Sequence, residues 1–224
     1  MTHFLLAGAC ALALSMPAAQ AAVSSPFDST AEGWQVVDFS NPNLSLTPQA
    51  SYTPNWLASG GATGAYIDFR DPSSGSFYFS ASNAYLGNLS GYFGGSFSYA
   101  QQVLSNGGGQ WRDDPDLILV GNGQAYVYQH AANPGSSWQH FAVTLDGAGW
   151  HRGSLSGADV GSSEFQAALG NVSALYVRGE YINGVEETTG LDNVALNPVP
   201  EPETWAMLLA GLGVVAWGHR RQSR

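Results

Sequence analysis

Hydrophobic positions in the middle of the chain cluster in short runs of four to seven residues, separated by clusters of Gly, Ser, Asn and Pro. The runs are rich in aromatic and β-branched residues, and no long segment has the 3.6-residue period of an amphipathic helix. The predicted strands are 34–39, 65–69, 76–80, 95–99, 117–120, 124–128, 139–145, 175–180 and 191–196. Nine short strands predict an all-β sandwich or barrel.

Two local signals complete this prediction. The segment Gly121-Asn122-Gly123 joins two predicted strands into a hairpin, because Asn-Gly readily adopts the positive φ angles of a tight turn. One short helix is predicted at residues 163–169, where Ser162 can cap the first turn and Gly170 can end the last.

The N-terminus differs from this body. Residues 4–16 are almost all apolar, and Ala19-Gln20-Ala21 has the A-x-A pattern of a signal-peptidase site. The apolar run is shorter than the ~20 residues of a transmembrane helix. We therefore predict a cleaved signal peptide at residues 1–22 and a single folded domain at residues 23–197.

Residues 198–224 form a third segment. A proline-rich linker around Pro200-Glu201-Pro202 ends the sheet, because proline lacks a backbone donor. The apolar run 205–217 begins and ends with Trp, and Arg220, Arg221 and Arg224 follow it. This pattern is typical of a membrane segment with its C-terminus in the cytoplasm, so we predict a short transmembrane helix.

The charge of the domain excludes one class of binding partner. Residues 23–200 contain 15 Asp and Glu but only four Arg, and the chain has no Lys. Such a surface repels phosphate backbones, so we expect no nucleic acid partner. The one cysteine, Cys10, lies in the predicted signal peptide, which leaves the mature chain without a disulfide or a cysteine nucleophile.

The sequence singles out no catalytic group. It contains no G-x-S-x-G motif, and His130, His140 and His151 do not have H-x-x-x-H spacing. None of the many carboxylate pairs is distinguished by its spacing. We therefore expect no enzymatic activity.

The tail resembles the PEP-CTERM sorting signal of Gram-negative bacteria. Pro200-Glu201-Pro202, the apolar run and the basic end occur in the order of that signal. The resemblance implies export, transient anchoring in the inner membrane and processing near Pro200, Glu201 and Pro202 by an exosortase-type enzyme. The mature product would then reach the cell surface or the extracellular matrix.

The body resembles the laminin type IV domain, also called laminin B. The stretches that carry the resemblance are Ala65-Tyr66-Ile67-Asp68, Gly75-Ser76-Phe77-Tyr78-Phe79-Ser80-Ala81, Tyr85-Leu86-Gly87-Asn88-Leu89-Ser90 with Tyr92-Phe93-Gly94-Gly95, Asp116-Leu117-Ile118-Leu119-Val120-Gly121, Ala174-Leu175-Tyr176-Val177-Arg178-Gly179-Glu180-Tyr181 and Gly190-Leu191-Asp192-Asn193-Val194. The resemblance implies a jelly-roll β-sandwich that acts as an extracellular binding module without catalysis.

Acidic residues suggest a structural Ca²⁺, whose preferred ligands are oxygens of Asp, Asn and turns. The first and last strands of jelly rolls commonly lie together, so Asp28 could share a site with Asp192 and Asn193. Asp68 and Asp71 form a second acidic cluster. Asp113, Asp114 and Asp116 form a third, which we expect to be a solvated loop protecting a strand edge.

Aromatic residues outside the predicted core suggest a glycan site, because sugars stack on exposed rings. Trp56, Trp111, Trp138 and Trp150 all lie in predicted loops or strand ends and are candidate ligand contacts. Trp34 lies on a strand and is expected in the core.

We therefore predict an exported, non-catalytic module that binds an extracellular glycan or a matrix protein. A surface polysaccharide hydrolase and a purely structural matrix component are the alternatives.

Overall fold

The computed structural model of the protein describes residues 20–42, 45–71, 75–105, 110–183 and 185–199. The strands in this part of the chain are β1 (Val23–Ser25), β2 (Gln35–Phe39), β3 (Ala50–Tyr52), β4 (Asn55–Leu57), β5 (Tyr66–Arg70), β6 (Ser76–Ser80), β7 (Ser96–Ser105), β8 (Gln110–Trp111), β9 (Leu117–Gly121), β10 (Gln124–Tyr128), β11 (Gln139–Thr144), β12 (His151–Arg152), β13 (Val172–Arg178), β14 (Ile182–Asn183) and β15 (Glu187–Asn197). The helices are α1 (Ser162–Leu169) and two single 3-10 turns, Asn83–Tyr85 and Ser90–Tyr92.

The strands form two main antiparallel sheets. In the first sheet the order is β11-β7-β15-β5-β4, with β1 also paired to β15. In the second sheet the order is β12-β10-β9-β13-β6-β2-β3, and β8 and β14 form a separate two-stranded sheet. The predicted all-β jelly-roll sandwich with one short helix is confirmed.

Large aromatic side chains fill the space between the sheets. Trp34 is fully buried and meets Phe27 and Tyr85 edge-on, with ring centroids 6.2 and 5.3 Å apart. Its indole N–H donates to Ser25 Oγ at 3.1 Å, so the polar atom of the ring is satisfied inside the core. The expected core position of Trp34 is confirmed.

Strand β15 lies at the centre of the first sheet. It pairs with β7 along most of its length, with β5 at residues 188–191 and with β1 at residues 194–196. The β7 register shifts between Asp192 and Ala195, and Asn193 has a φ of 50° in this bulge. The last strand therefore lies beside β1, which was not predicted, whereas the predicted first strand, 34–39, corresponds to β2 and lies in the second sheet.

The hairpin prediction is confirmed, and the helix prediction is confirmed except for its cap. Asn122 and Gly123 have φ angles of 52° and 76°, which match a two-residue turn between β9 and β10. Helix α1 begins at Ser162 and its N-cap is Gly161, without a side-chain cap. The predicted capping by Ser162 is wrong because that residue already belongs to the first helical turn.

Strand lengths are where sequence and structure differ most. Strand β7 continues past the predicted end at Tyr99 because Gln101 is buried and finds polar partners, including the carbonyl of Arg178 at 2.5 Å. Strands β1, β3, β4, β8, β12 and β14 were not predicted, since two or three residues are too few to show a strand pattern.

Among the described residues, no helix is long and apolar enough to cross a membrane. The predicted transmembrane run, the motif Pro200-Glu201-Pro202 and most of the predicted signal peptide lie outside the described residues.

Candidate ligand-binding site

The outer face of the first sheet carries the candidate site. Ile67 of β5 and Leu191 of β15 are fully buried in the core. Successive side chains of a strand point to opposite faces, so their neighbours Asp68 and Gly190 face outwards. Gly190 pairs with Asp68 on one side and with Gln102 of β7 on the other. A row of outward positions therefore crosses three strands at Gly190.

Trp138 lies over this row. A methyl group at position 190 would lie 2.8 Å from Trp138 Cη2 and 3.3 Å from Tyr66 Cδ2, so only glycine allows the rings to approach the strand this closely. The indole meets the Tyr66 ring edge-on at a centroid distance of 5.3 Å, and its N–H donates to the carbonyl of Gly60 at 2.9 Å. Trp138 and Tyr66 are both partly exposed. The two rings form a fixed aromatic surface that solvent reaches.

Polar groups surround these rings. Asn55 Nδ2 donates to Asp68 Oδ1 at 2.9 Å. Burial raises the pKa of Asp68, and the hydrogen bond from Asn55 opposes that rise. Gln102 is partly exposed, and His140 of β11 is exposed opposite Ala100.

We call this surface the outer platform and define it by Asn55, Tyr66, Asp68, Gln102, Trp138 and His140. It offers flat rings together with carboxylate, amide and imidazole groups that can bond hydroxyls.

The other predicted tryptophans lie elsewhere. Trp56 is 39% exposed on β4, opposite the inward-facing Ile67, and donates to the carbonyl of Phe27 at 2.6 Å. Trp111 is 48% exposed on β8 and meets the ring of Tyr181. The structure therefore places neither ring on the outer platform.

Trp150 belongs to the core. Its side chain is 1% exposed and packs on Phe165, with ring centroids 4.8 Å apart, and on Tyr128. An external ligand cannot reach this ring. Of the four candidate tryptophans, Trp138 alone lies on the outer platform.

The sequence analysis did not assign Tyr66 to a ligand site, and it considered Asp68 only as part of an acidic cluster with Asp71 and not as a glycan contact. A usable signal was present in β5, where Tyr66, Asp68 and Arg70 alternate with the apolar residues Ile67 and Phe69. This alternation places the three polar positions on one face. It does not show which loop aromatic lies over that face.

The acidic cluster after β8 is not a solvated loop. Asp114 and Asp116 are 6% and 1% exposed. Arg178, fully buried, donates to Asp116 Oδ1 at 3.4 Å, and Arg112 donates to Asp114 Oδ2 at 3.0 Å. The expectation of a solvated loop is therefore wrong for these two residues, which are the counterions of the buried Arg178 and the partly buried Arg112.

Two glutamates extend this buried polar region. Glu187 is 1% exposed, and its carboxylate accepts the backbone N–H groups of Tyr181 and Ile182. Glu180 is 2% exposed and accepts from Arg112 at 3.1 Å, while its Oε2 has no hydrogen-bond partner among the described residues.

Both carboxyls bind protons more tightly than usual. Burial raises the pKa of Glu180 to about 8, and the charge of Asp71 adds to this rise. Burial likewise raises the pKa of Glu187 to about 7, against the hydrogen bonds from Tyr181 and Ile182. Neither group has access to a substrate, so the two carboxyls have a structural role.

Asp192 ties a loop to β15. It is fully buried, and its carboxylate accepts N–H bonds from Asn193 at 2.6 Å and Thr63 at 3.0 Å. Thr63 Oγ1 also donates to Asn193 Oδ1 at 2.7 Å. A methyl group at Gly61 would lie 2.6 Å from Asp192 Oδ2, so the loop needs glycine to pass this close.

The predicted calcium ligands are close in space. Burial raises the pKa of Asp192, and the nearby charge of Asp28 contributes to the same rise. The described residues contain no group of three or more His, Cys, Asp or Glu side chains placed to hold a metal. Calcium binding by Asp28, Asp192 and Asn193 stays a prediction, since the amide donors give Asp192 a role of their own.

Comparison with protein families gives two matches. The model of the family Laminin B (Domain IV) matches residues 78–203, more than half of the chain. The PEP-CTERM protein-sorting motif matches residues 198–222. Both predicted resemblances are confirmed, and the sorting motif indicates export with a transient membrane anchor. No curated protein matches the chain as a relative.

Two solved structures resemble this chain, and the first of them confirms the fold. The L4b domain of human laminin alpha-2 is 13% identical in sequence, with a TM-score of 0.63, and the match covers 80% of this chain and 98% of that domain. The family 11 carbohydrate-binding module of a cellulosomal cellulase from Clostridium thermocellum is 15% identical, with a TM-score of 0.45, and the match covers 81% of this chain and 88% of the module.

The raised pKa values predict how stability depends on pH. A carboxyl with a raised pKa in the folded state stabilises the fold fully below its ordinary value of 4.5. That contribution is lost as the pH rises through about 7 for Glu187 and about 8 for Glu180. We expect the melting temperature of the purified protein to fall between pH 5 and pH 8.5 in calorimetry.

The variant Glu180→Gln mimics the protonated acid and should flatten this fall. Glu164→Gln, which removes a partly exposed partner of Arg152, is the matched control and should leave the alkaline fall in place. An equal fall in wild type and Glu180→Gln would show that the titration lies elsewhere.

Calcium binding predicts a melting temperature that falls with EDTA and recovers with Ca²⁺. A ligand that binds only the folded state stabilises it by about 2.7 kcal/mol at a hundredfold excess over Kd, or ~5–10 °C in a domain of this size. Asp28→Asn should abolish the response and leave the metal-free melting temperature unchanged. Asp192→Ala should also lower the metal-free value because the loop loses its amide acceptor. A wild-type melting curve that EDTA does not change would leave Asp192 with the loop contact alone.

Proposed function

The chain belongs to the laminin B (domain IV) family of non-catalytic binding domains, and on that premise we propose that it is an exported module that binds extracellular glycan on the outer platform. The observation that carries the proposal is the position of Trp138, which lies over Gly190 and against Tyr66 and remains partly exposed. A pyranose ring has a flat C–H face that can stack on such a ring. Its hydroxyls then come within reach of the neighbouring polar side chains.

The surroundings of Trp138 support a binding role. The indole is held by a hydrogen bond to Gly60 and an edge contact with Tyr66, so little side-chain freedom is lost when a ligand binds. Asp68 and Gln102 flank Gly190 on the same face. The carboxylate of Asp68 can accept hydrogen bonds from sugar hydroxyls, and the amide of Gln102 can donate or accept them. Rigid aromatic contact with adjacent polar groups is the usual composition of a binding site.

The titratable groups do not support the alternative of a hydrolase. The carboxyls with the most raised pKa values, Glu180 and Glu187, are buried and engaged by Arg112 and backbone amides. Burial lowers the pKa of His130 to about 4, and its ring packs against Tyr128 and Phe141. A general acid or base needs access to substrate, which the buried carboxyls of Glu180 and Glu187 lack.

The glycan proposal predicts that Trp138→Ala loses binding. The purified protein is titrated with cellohexaose, laminarihexaose and mannohexaose in a calorimeter and is then tested on a wider array of neutral glycans. Loss of a central tryptophan contact costs about 2 kcal/mol or more, so affinity should fall roughly 30-fold.

Trp56→Ala and Trp111→Ala are the matched controls and test the other two exposed tryptophans predicted from the sequence. We expect both to keep wild-type affinity, because neither ring lies on the outer platform. If Trp138→Ala binds glycan like wild type, or if Trp111→Ala loses binding instead, the binding site is not the outer platform. Failure of every neutral glycan to bind would remove the proposed function.

We also propose that an exosortase-type enzyme processes the exported chain near Pro200, Glu201 and Pro202 while the apolar run 205–217 holds it in the inner membrane. The match to the sorting motif supports this proposal. The product is then released to the cell surface or the matrix, where the outer platform meets its ligand.

The sorting proposal predicts that replacing Pro200, Glu201 and Pro202 by alanine leaves export intact and traps the protein in the inner membrane. Anchoring and processing are separable because the apolar run is distinct from the motif. Cell fractionation with immunodetection measures the distribution, and Val199→Ala is the neighbouring control. Surface release of the triple variant at the wild-type level would contradict the proposal.

A further inference from the structure

The charges around the outer platform restrict the kind of glycan that it can bind. The row that crosses Gly190 carries one ionisable carboxyl, Asp68, on the strand next to the position over which Trp138 lies. Directly paired residues in neighbouring strands have their Cβ positions about 5 Å apart. A sugar stacked on Trp138 therefore lies beside a carboxylate.

Each of the four arginines in the described part of the chain pairs with a carboxylate of the protein itself. Arg70, the arginine nearest to Asp68 on this face, pairs with Glu186. Arg112 pairs with Asp114, Arg152 with Glu164, and Arg178 with Asp116. The chain has no lysine that could take their place.

Asp68 itself is also held in position. Asn55 Nδ2, on β4, donates to Asp68 Oδ1. This hydrogen bond fixes the carboxylate at the β4 end of the row through Gly190. A carboxylate accepts hydrogen bonds and cannot donate them, so it bonds hydroxyl groups well. It repels a second carboxylate at close range, and the repulsion is stronger where solvent is excluded.

We propose that the outer platform selects neutral polysaccharides and excludes uronic acid polymers, and that Asp68 is the residue that makes this distinction. The inference rests on the proposed glycan function and specifies its ligand class. Trp138 supplies the contact that any pyranose can make. Asp68 accepts hydroxyl hydrogen bonds from a neutral sugar and repels the carboxylate of an acidic one.

A matched pair of ligands tests the inference. Cellohexaose, laminarihexaose and mannohexaose are compared with the same oligosaccharides oxidised at C6 to carboxylates, so that charge is the main difference within each pair. The wild-type protein should bind the neutral member of the preferred pair at least about tenfold more tightly, as a repulsion near 1.4 kcal/mol requires. The difference should shrink between 20 mM and 500 mM salt, because salt screens exposed charges.

The variant Asp68→Asn keeps an oxygen for the hydrogen bond from Asn55 and removes the charge. The preference for the neutral oligosaccharide should shrink by about tenfold, because the oxidised one is no longer repelled while the neutral one loses an acceptor oxygen. The control is Asp159→Asn, which removes one charge at a highly exposed site beside β12 in the second sheet. This control should keep the wild-type preference.

The outcomes separate the two proposals. If wild type binds neutral and oxidised forms equally, or if Asp159→Asn relaxes the preference as much as Asp68→Asn does, then Asp68 is not the selecting residue, and the glycan function stands. If no neutral oligosaccharide or polysaccharide binds, the function itself fails, and the inference fails with it.

Discussion

Backbone pairing along β15 is the constraint from which most of the architecture follows. This one strand pairs with β7, β5 and β1, so its register fixes the relative positions of three neighbours. In this register Leu191 faces the core, and Gly190 and Asp192 face outwards. A shift of one residue would exchange the two faces. The aromatic surface at Gly190 and the loop contact at Asp192 both depend on that register.

A second constraint is the buried guanidinium of Arg178, which lies near the beginning of β15. Arg178 donates to the carbonyls of Glu180, Asp114 and Arg112 and stacks on the ring of Tyr181 at 4.4 Å. Taking such a charge out of water is costly unless its donors are satisfied. The segment from Arg112 to Asp116 therefore folds onto the sandwich, although its sequence is that of a surface loop.

The fold could be predicted largely from the sequence because strand and turn signals are local. The Asn122-Gly123 turn and the core position of Trp34 were both expected and are both present. Very short strands escaped prediction, because β8 and β14 consist of two residues each and depend on pairing with one another.

The candidate site was predicted less well, for the same physical reason. Trp138 and Trp150 look alike in sequence, since both precede or follow a strand in a region rich in Gly, Pro and Ser. One lies over a glycine on an outer face, and the other fills the space between helix α1 and β10. Likewise, Asp113-Asp114-Pro115-Asp116 suggested solvent exposure because the partner, Arg178, is more than sixty residues away. Contacts between distant segments decide such cases, and a single sequence does not contain them.

The pairing of β1 with β15 has a geometrical consequence for a tethered molecule. Val23 lies opposite Leu196, so both ends of the domain leave from one pole at a separation of about 5 Å. If the domain is attached through this pole, its strands run along the direction of attachment, because the end of β15 lies at the pole. The row through Asp68, Gly190 and Gln102 crosses the strands at right angles to that direction. Under the proposed glycan function, a polymer that follows the row runs perpendicular to the direction of attachment.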